Sequence, residues 1–346
     1  MTGFGGSSVS TTLDCFSIGL PWGDSLIKNA LPSFSAIVEW ENVKLSEFDR
    51  ARRMLGELST QIGAIEQELS APPEIFILYD PEAIDPHAIR CLIDEAFHDR
   101  PGLELRLLPA RNGTYYRQKN HGATLATREL VMFVDSDVIP EPGWLAALLG
   151  SFRDPRVSVA CGNTYIDPTN LYARAFALFW FFPLRSNEKG LAPSEYFFAN
   201  NVVFRRDLFL SYRFPDLPLL RGQCSVLAQT LRRDGHPIFI HNEARVSHPP
   251  PNGLAHFVKR ALCEGHDIAL RAKAGGPAYP RGALLRLKRS LIRSARRIRH
   301  HGREVGLGRA GAIGAIAIAA TYYSLCFVGE SVTQVKPEII RERFSI

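Results

Sequence analysis

The sequence has no Gly-x-Gly-x-x-Gly after a predicted strand, and its one early glycine cluster, Gly3 to Gly6, has no strand before it. A dinucleotide-dependent dehydrogenase is therefore not expected. It has no Gly-x-Ser-x-Gly elbow, which excludes serine hydrolases of that type. Its cysteines, Cys15, Cys91, Cys161, Cys224, Cys263 and Cys326, lie far apart, so neither a zinc cluster nor a redox pair is encoded. A chain of this size needs no disulfide staples, and reduced thiols in a cytosolic setting are expected. Met1 to Asp14 holds no positive charge and no apolar run of signal-peptide length, so no secretion signal is expected there. Acidic residues are missing from Arg281 to Arg303, a segment that carries nine arginines and lysines. The net charge of +6 thus describes one segment rather than the whole surface. No zinc-finger spacing and no aromatic RNA-binding motif accompanies it, so nucleic acid is not an expected partner.

What is present suits one large core with an appendage: 346 residues, 46% hydrophobic and 22% charged. Residues 1–31 are rich in Gly, Ser and Thr and read as an irregular arm. Apolar runs at Phe34–Glu39, Glu74–Tyr79, Leu103–Leu108 and Leu130–Val134 read as strands. Between them, Phe48, Ala51, Leu55, Leu58, Ile62, Ile65 and Leu69 form one helical stripe, Pro86 to Phe97 a second helix and Asn120 to Thr127 a third. Alternating strand and helix implies an α/β fold with a mostly parallel sheet flanked by helices. Ligands of such sheets bind at the carboxyl ends of the strands. Glu39, Asp80 and Asp135 to Asp137 all sit at those ends.

The second half is less regular. Asn200–Phe204 and Pro237–Ile240 read as strands, and Val226–Arg232 and Leu254–Leu270 as helices. The α/β domain is placed at residues 32–272, followed by a linker marked by Gly275, Gly276, Pro277 and Pro280. Residues 281–346 form a helical extension. Leu284, Leu287, Leu291, Ala295 and Ile298 share one face of a basic helix, and the uncharged stretch Ala310–Gly329 is about 20 residues, near a bilayer's width. Two readings stay open: attachment to an anionic cytoplasmic leaflet, or a helix pair packed on the domain.

Asp135 and Asp137, one residue apart beyond a buried strand, offer hard oxygens of the kind Mg²⁺ and Mn²⁺ prefer when they share their shell with phosphates. The alternative is that the pair caps a turn. Asn120-His121-Gly122-Ala123, then Leu130 to Asp135-Ser136-Asp137, then Pro140 to Trp144-Leu145 resembles the nucleotide-sugar half of family 2 glycosyltransferases of the GT-A fold. The resemblance covers roughly Phe34 to Asp267. It implies inverting transfer from a nucleotide-sugar donor to a saccharide or lipid-linked acceptor, assisted by Mg²⁺ or Mn²⁺. It places Glu39 and Asp80 beside the nucleotide, Asp135 at the ribose or metal, and Asp137 and His248 on the metal. For Asp80 a turn former before Pro81 is the other reading, and for His248 a surface histidine before Pro249-Pro250-Pro251. Arg111, Arg117 and Lys119 could neutralise the leaving diphosphate or simply face solvent.

Two departures stand out. Glu39-Trp40-Glu41-Asn42 replaces the family's Pro-x-Tyr-Asn. Gln223-Cys224 stands where a Glu-Asp pair often supplies the general base, and a glutamine cannot take a proton. Asp216 and Glu195 are the neighbouring carboxylates, an acidic acceptor such as a phosphate needs no base, and the base stays unassigned. Asn200 and Asn201 resemble acceptor-side positions. Phe176 to Phe182 fits an acceptor groove, core or membrane contact. A catalytically inactive nucleotide-sugar-binding protein of the same fold is the alternative function.

Overall fold

Four apolar runs build the first half of the sheet in the computed structural model, which describes residues 30–41, 48–100, 102–111, 113–271 and 282–344. The expected arm up to residue 29 and the Gly275–Pro280 linker lie outside the described residues. The elements run β1 (Phe34–Glu39), α1 (Phe48–Ile65), β2 (Glu74–Tyr79), α2 (Pro86–Phe97), β3 (Glu104–Pro109), α3 (Tyr115–Leu125) and β4 (Leu130–Asp135). β1, β2 and β4 are buried along their whole length, as strands covered on both faces must be. β1 pairs in parallel with β2 and β4, and β2 with β3. The register sets Glu39 beside Asp135. On α1 the stripe is buried from Ala51 to Ile65, whereas Phe48 is exposed.

The second half is mixed. It comprises β5 (Ile139–Pro140), α4 (Trp144–Gly150), β6 (Val159–Ile166), α5 (Leu171–Phe179), β7 (Leu191–Ser194), β8 (Asn201–Arg205), α6 (Arg206–Tyr212), α7 (Gln223–Arg233) and β9 (Ile238–His248). The sheet order is β3-β2-β1-β4-β8-β6-β9-β5, with β7 on β9. β8 runs antiparallel to β4 and β6, while β6 and β9 are parallel. A bulge in β9 leaves Asn242, Glu243 and Ala244 without partners on β6, because Gly162 pairs with His241 and Asn163 with Arg245. Asn201 pins it, donating to Asn163 O and Ala244 O and accepting from the Trp144 indole at 2.8 Å. Asn201 is therefore a buried cross-link rather than an acceptor-side group. The bulge also needs Gly162, since a Cβ there would lie 1.9 Å from Ala244 O.

The C-terminal helices are α8 (Gly253–Arg271), α9 (Ala283–His301), α10 (Arg309–Val335) and α11 (Pro337–Phe344). By length and composition α10 could cross a bilayer. Here one side of it is packed: Ala315, Ala319, Tyr322, Tyr323 and Cys326 share a core with Phe176, Phe179 and Trp180. α8 and α10 cross on glycines. A Cβ on Gly265 would meet Cys326 O at 1.9 Å, and one on Gly329 would meet Leu262 O at 2.1 Å. On α9 the inward residues are Ser294 and Ile298, with Leu287 and Leu291 half-buried. Leu284 and Ala295, expected on the apolar face, are exposed, so the packed face is rotated from the one anticipated.

Gly265→Val should therefore separate α8 from α10, as there is only backbone to clash with. A loss of about 1–3 kcal/mol in urea unfolding, with faster proteolysis between 272 and 309, is the expected result. Wild-type stability in the variant would mean that α10 is not docked through this crossing.

Candidate active site: a buried carboxylate cluster at the sheet edge

β4 delivers Asp135 and Asp137 to the rim of the sheet, where they meet different partners. Asp135 turns toward α3. It receives Lys119 Nζ at 2.7 Å and the Tyr115 hydroxyl at 2.8 and 2.9 Å on its two oxygens. Lys119 is fully buried, with its ammonium 4.6 Å from the Tyr115 ring centroid. It faces neither solvent nor a leaving group. α3 begins at Tyr115 rather than Asn120, and its buried face includes Gln118 and Lys119. Burial holds the Tyr115 phenol well above its ordinary pKa, with the Asp135 charge adding to the effect, so it remains a donor. Glu39 is fully buried beside this pair, and its Oε2 accepts the Glu41 amide at 2.9 Å. Burial, and then repulsion from Asp135, pushes its pKa well above the usual carboxylate range.

Asp137 turns the other way. Arg50, from the first turn of α1, donates to the Asp137 carbonyl and to Ser247 O at 2.7 Å. β5 pairs Ile139 with Ser247, which draws the end of β9 alongside. His248 Nε2 then lies 4.0 Å from Asp137 Oδ1. His248 Nδ1 is 2.6 Å from Pro249 O. A carbonyl only accepts, so Nδ1 carries the proton and Nε2 presents a lone pair. Asp137 Oδ1 is buried without a hydrogen-bond partner. Two electron-rich atoms facing each other across such a gap, in a buried site, form a donor set that suits a divalent cation. Ligand atoms of Asp135, Asp137 and His248 all lie within 4.8 Å of one another. Burial raises the Asp137 pKa and lowers that of His248.

This trio opens on a cavity of about 950 Å³. Arg50, Arg221 and Arg260 reach it. Arg221 sits 4.2 Å over the Tyr115 ring centroid and 3.5 Å from Glu41. None of the three stood out in the sequence, although Arg221 lies two residues before the Gln223-Cys224 pair already singled out. Arg117 instead pairs with Asp216 at 2.8 Å on the surface, and Arg111 is exposed. Asp216 and Glu195, the latter 3.2 Å from Arg232, are not on the cavity wall, so neither neighbouring carboxylate is positioned to act as base. Gln223 donates to Leu219 O at 3.1 Å. Asp80 accepts the Glu82 amide at 3.1 Å, the turn-forming arrangement, and lies off the cavity wall.

α8 supplies the opposite wall. Asp267, 1% exposed, accepts the amides of Leu220 and Arg221 at 2.9 and 2.8 Å, and burial raises its pKa to about 7. Glu264 accepts the Tyr322 hydroxyl at 2.6 Å. Trp180 and Phe182 stack near His248, with ring centroids 6.0 and 5.0 Å away, while Phe176 and Phe179 are core. Thr164 donates to Asn200, which lines the cavity.

Two substitutions probe these charges. Lys119→Met leaves Asp135 and Glu39 buried without their shared cation and should lower stability by about 3–5 kcal/mol in denaturant unfolding. A loss below about 1 kcal/mol would show that the pair is dispensable. His256, whose Nδ1 accepts the Asn252 amide at 3.1 Å, has its pKa lowered to about 3 by burial and then by Arg260. Below about pH 6.5 the unfolded chain binds a proton here that the folded chain refuses. Stability from this residue is thus complete above that pH and falls as the pH drops toward 3. Thermal melts of His256→Gln should be flatter than wild type between pH 4 and 7. Parallel curves would remove His256 as the cause.

Comparison with known proteins agrees with this geometry. Residues 85–211 match the family description Glycosyl transferase family 2. The pre-mycofactocin glycosyltransferase of Mycobacterium tuberculosis is 36% identical over 167 residues, 47% of this chain and 33% of that protein. The glucosyl-dolichyl phosphate glucuronosyltransferase of Haloferax volcanii is 22% identical over 169 residues, 45% of this chain and 54% of that protein. The chain thus spans between a third and about half of the length of these relatives. Among solved structures, the mannosyltransferase PcManGT from Pyrobaculum calidifontis, in complex with GDP-Man and Mn²⁺, superposes with a TM-score of 0.56 at 17% identity. That match covers 89% of this chain and 88% of that one. GalNAc-T7 with UDP, GalNAc and Mn²⁺ gives 0.51 at 13% identity, over 80% and 57%. With the sequence match lying across β4 and the Asp135–Asp137 turn, and the architecture shared with these neighbours, the α/β domain has a GT-A-like fold and is similar to the family 2 glycosyltransferases across residues 85–211.

Proposed function

We propose that this protein transfers a sugar from a nucleotide-sugar donor to an acceptor hydroxyl, with inversion, at the cavity beside Asp137. The observation that carries the reading is the partnerless, buried Oδ1 of Asp137 facing the bare Nε2 of His248. Asp137 and His248, with Asp135 behind them, would hold Mg²⁺ or Mn²⁺. Bound there, the ion supplies charge neutralisation to the donor's diphosphate. Arg50 and Arg221, with Arg260 from the opposite wall, add positive charge around the same cavity, where the diphosphate would leave. Glu39 and Asp80 lie at the ends of β1 and β2 but off the cavity wall, so no nucleoside contact is assigned to either. The acceptor oxygen would form its bond to the anomeric carbon opposite the departing diphosphate, which takes the electron pair of the broken bond, and the proton of the acceptor hydroxyl would pass to water. The aromatic wall at Trp180, Phe181 and Phe182 suits the face of a saccharide.

The extension is proposed to rest on the cytoplasmic face of a membrane. Ile313, Ile316, Val328 and Val335 form an uncharged exposed strip on α10, beside a basic outer face on α9 that includes Lys288, Arg296 and Arg299. A saccharide or lipid-linked acceptor would be met there.

Calorimetric titration of UDP, GDP and dTDP, with and without Mn²⁺, tests the donor site. One nucleotide should bind in a metal-dependent way, and Asp137→Ala should weaken it by about tenfold or more. Binding that ignores both metal and mutation would overturn the assignment. Metal-dependent binding without turnover of any nucleotide sugar would instead favour a non-catalytic nucleotide-sugar-binding protein, the reading that Gln223 motivates.

A further inference from the structure

Besides Asp135, Asp137 and His248, the same cavity is lined by residues of α8, α9 and α10. Arg286, Arg289 and Arg293 recur along one face of α9 at steps of three and four, and all three line the cavity. Lys259 of α8 lines it too. The carboxylates of these helices that line the cavity are already engaged. Glu330 pairs with Arg286 and accepts from Gln334 at 3.0 Å. Glu264 is bound by the Tyr322 hydroxyl and, at 3.3 Å, by the Trp180 indole. Among the described residues Arg293 donates only to a neutral group, the Tyr323 hydroxyl, at 3.4 Å. Among the described residues no carboxylate lies within ion-pair distance of Lys259, Arg289 or Arg293. Burial first, and then the charges of Arg260, Arg221, His248 and Lys259, lower the pKa of His256 on the same cavity wall. The surroundings are apolar: Leu287, Tyr323 and Phe327 line the cavity, and Phe181 remains 43% exposed at the wall.

Surplus cations next to apolar side chains, inside a cavity, match an anion that carries a hydrocarbon chain. A sugar alone would use neither feature. We infer that Lys259, Arg289 and Arg293 form a phosphate-binding subsite for a lipid-linked acceptor, with the lipid lying along Leu287, Tyr323 and Phe327. The inference rests on the transferase reading and narrows its acceptor to a phosphate-bearing amphiphile. It also gives the helical extension a role in the site itself, because α9 contributes two of the three cations. The position beside the exposed apolar strip of α10 lets such a molecule enter from a membrane surface.

The test is calorimetric titration of the full chain with decyl phosphate below its micelle threshold, against decanol and inorganic phosphate. Decyl phosphate should bind at least about tenfold more tightly than either fragment, since it alone engages both features. Arg289→Gln/Arg293→Gln, two exposed positions whose change should leave the fold intact, should weaken decyl phosphate by about tenfold or more and leave Mn²⁺-dependent nucleotide binding unchanged. Equal binding of inorganic phosphate would reduce the subsite to a free-anion site, and equal binding of decanol to an apolar groove. Either result, or an unaffected double variant, overturns the proposal. If nucleotide binds normally and decyl phosphate does not, the subsite fails and the donor reading stands. If decyl phosphate binds as expected and no nucleotide does, the subsite stands and the acceptor role falls with the donor reading.

Discussion

Everything at this sheet edge depends on one buried lysine. Parallel strands end together, so the fold brings Glu39 and Asp135 side by side in a region from which water is excluded. Two such carboxylates repel each other and favour protonation. Lys119 relieves this by placing its ammonium on Asp135, with Tyr115 filling the remaining acceptor capacity. Asp135 is thereby fixed toward the interior. Asp137, two residues on, inherits neither partner and is left to the side of His248 and Arg50. The two acids look equivalent in sequence but differ in their partners: Asp135 carries the ammonium of Lys119, whereas Asp137 Oδ1 faces His248.

A second dependence runs through the C-terminal helices. Asp267 of α8 holds the amides of Leu220 and Arg221, and Arg221 lies over the Tyr115 ring that serves Asp135. α8 is in turn gripped by α10 through backbone contact at Gly265 and Gly329. The Trp180 indole meets both Glu264 of α8 and the Tyr322 hydroxyl of α10. The extension is thus continuous with the wall of the active cavity through hydrogen bonds as well as packing. Any surface that α9 and α10 engage lies within a few side chains of the donor site.

The first half of the fold was legible because doubly covered parallel strands are written as unbroken apolar runs, and α1 as a single stripe. Asp135, Asp137 and His248 could be picked out, and the structure draws them together. The second half was harder. β6 contains Gly162, Asn163 and Thr164 amid its apolar residues, so it shows neither alternation nor a clean run, and it went unread. The start of α3 was missed for a related reason. Its inward face carries Gln118 and Lys119, and a polar pattern at core positions hides a helix from any search by hydrophobicity. In sequence Lys119 reads as a diphosphate contact or a solvent-facing charge, because nothing local distinguishes a lysine bound for the interior from one bound for water. Arg50 acts across 197 positions of chain, from α1 to β9, and Arg260 across 80, from α8 to the aromatic wall, which spacing alone does not reveal.

The β9 bulge has a consequence that comes down to parity. Side chains along a strand alternate between the two faces of a sheet, so an odd number of surplus residues reverses the alternation relative to the neighbouring strand. Three residues, Asn242 to Ala244, are surplus against β6. Beyond them the ladder resumes at Asn163 with Arg245, and this register, which sets His248 opposite Ile166, fixes the side that His248 faces. A slip of that register by one residue would turn Arg245, Ser247 and His248 over together while leaving the composition of the strand unchanged. The pocket's histidine is specified as much by arithmetic upstream as by its own chemistry, and length in this short stretch is under tighter constraint than identity.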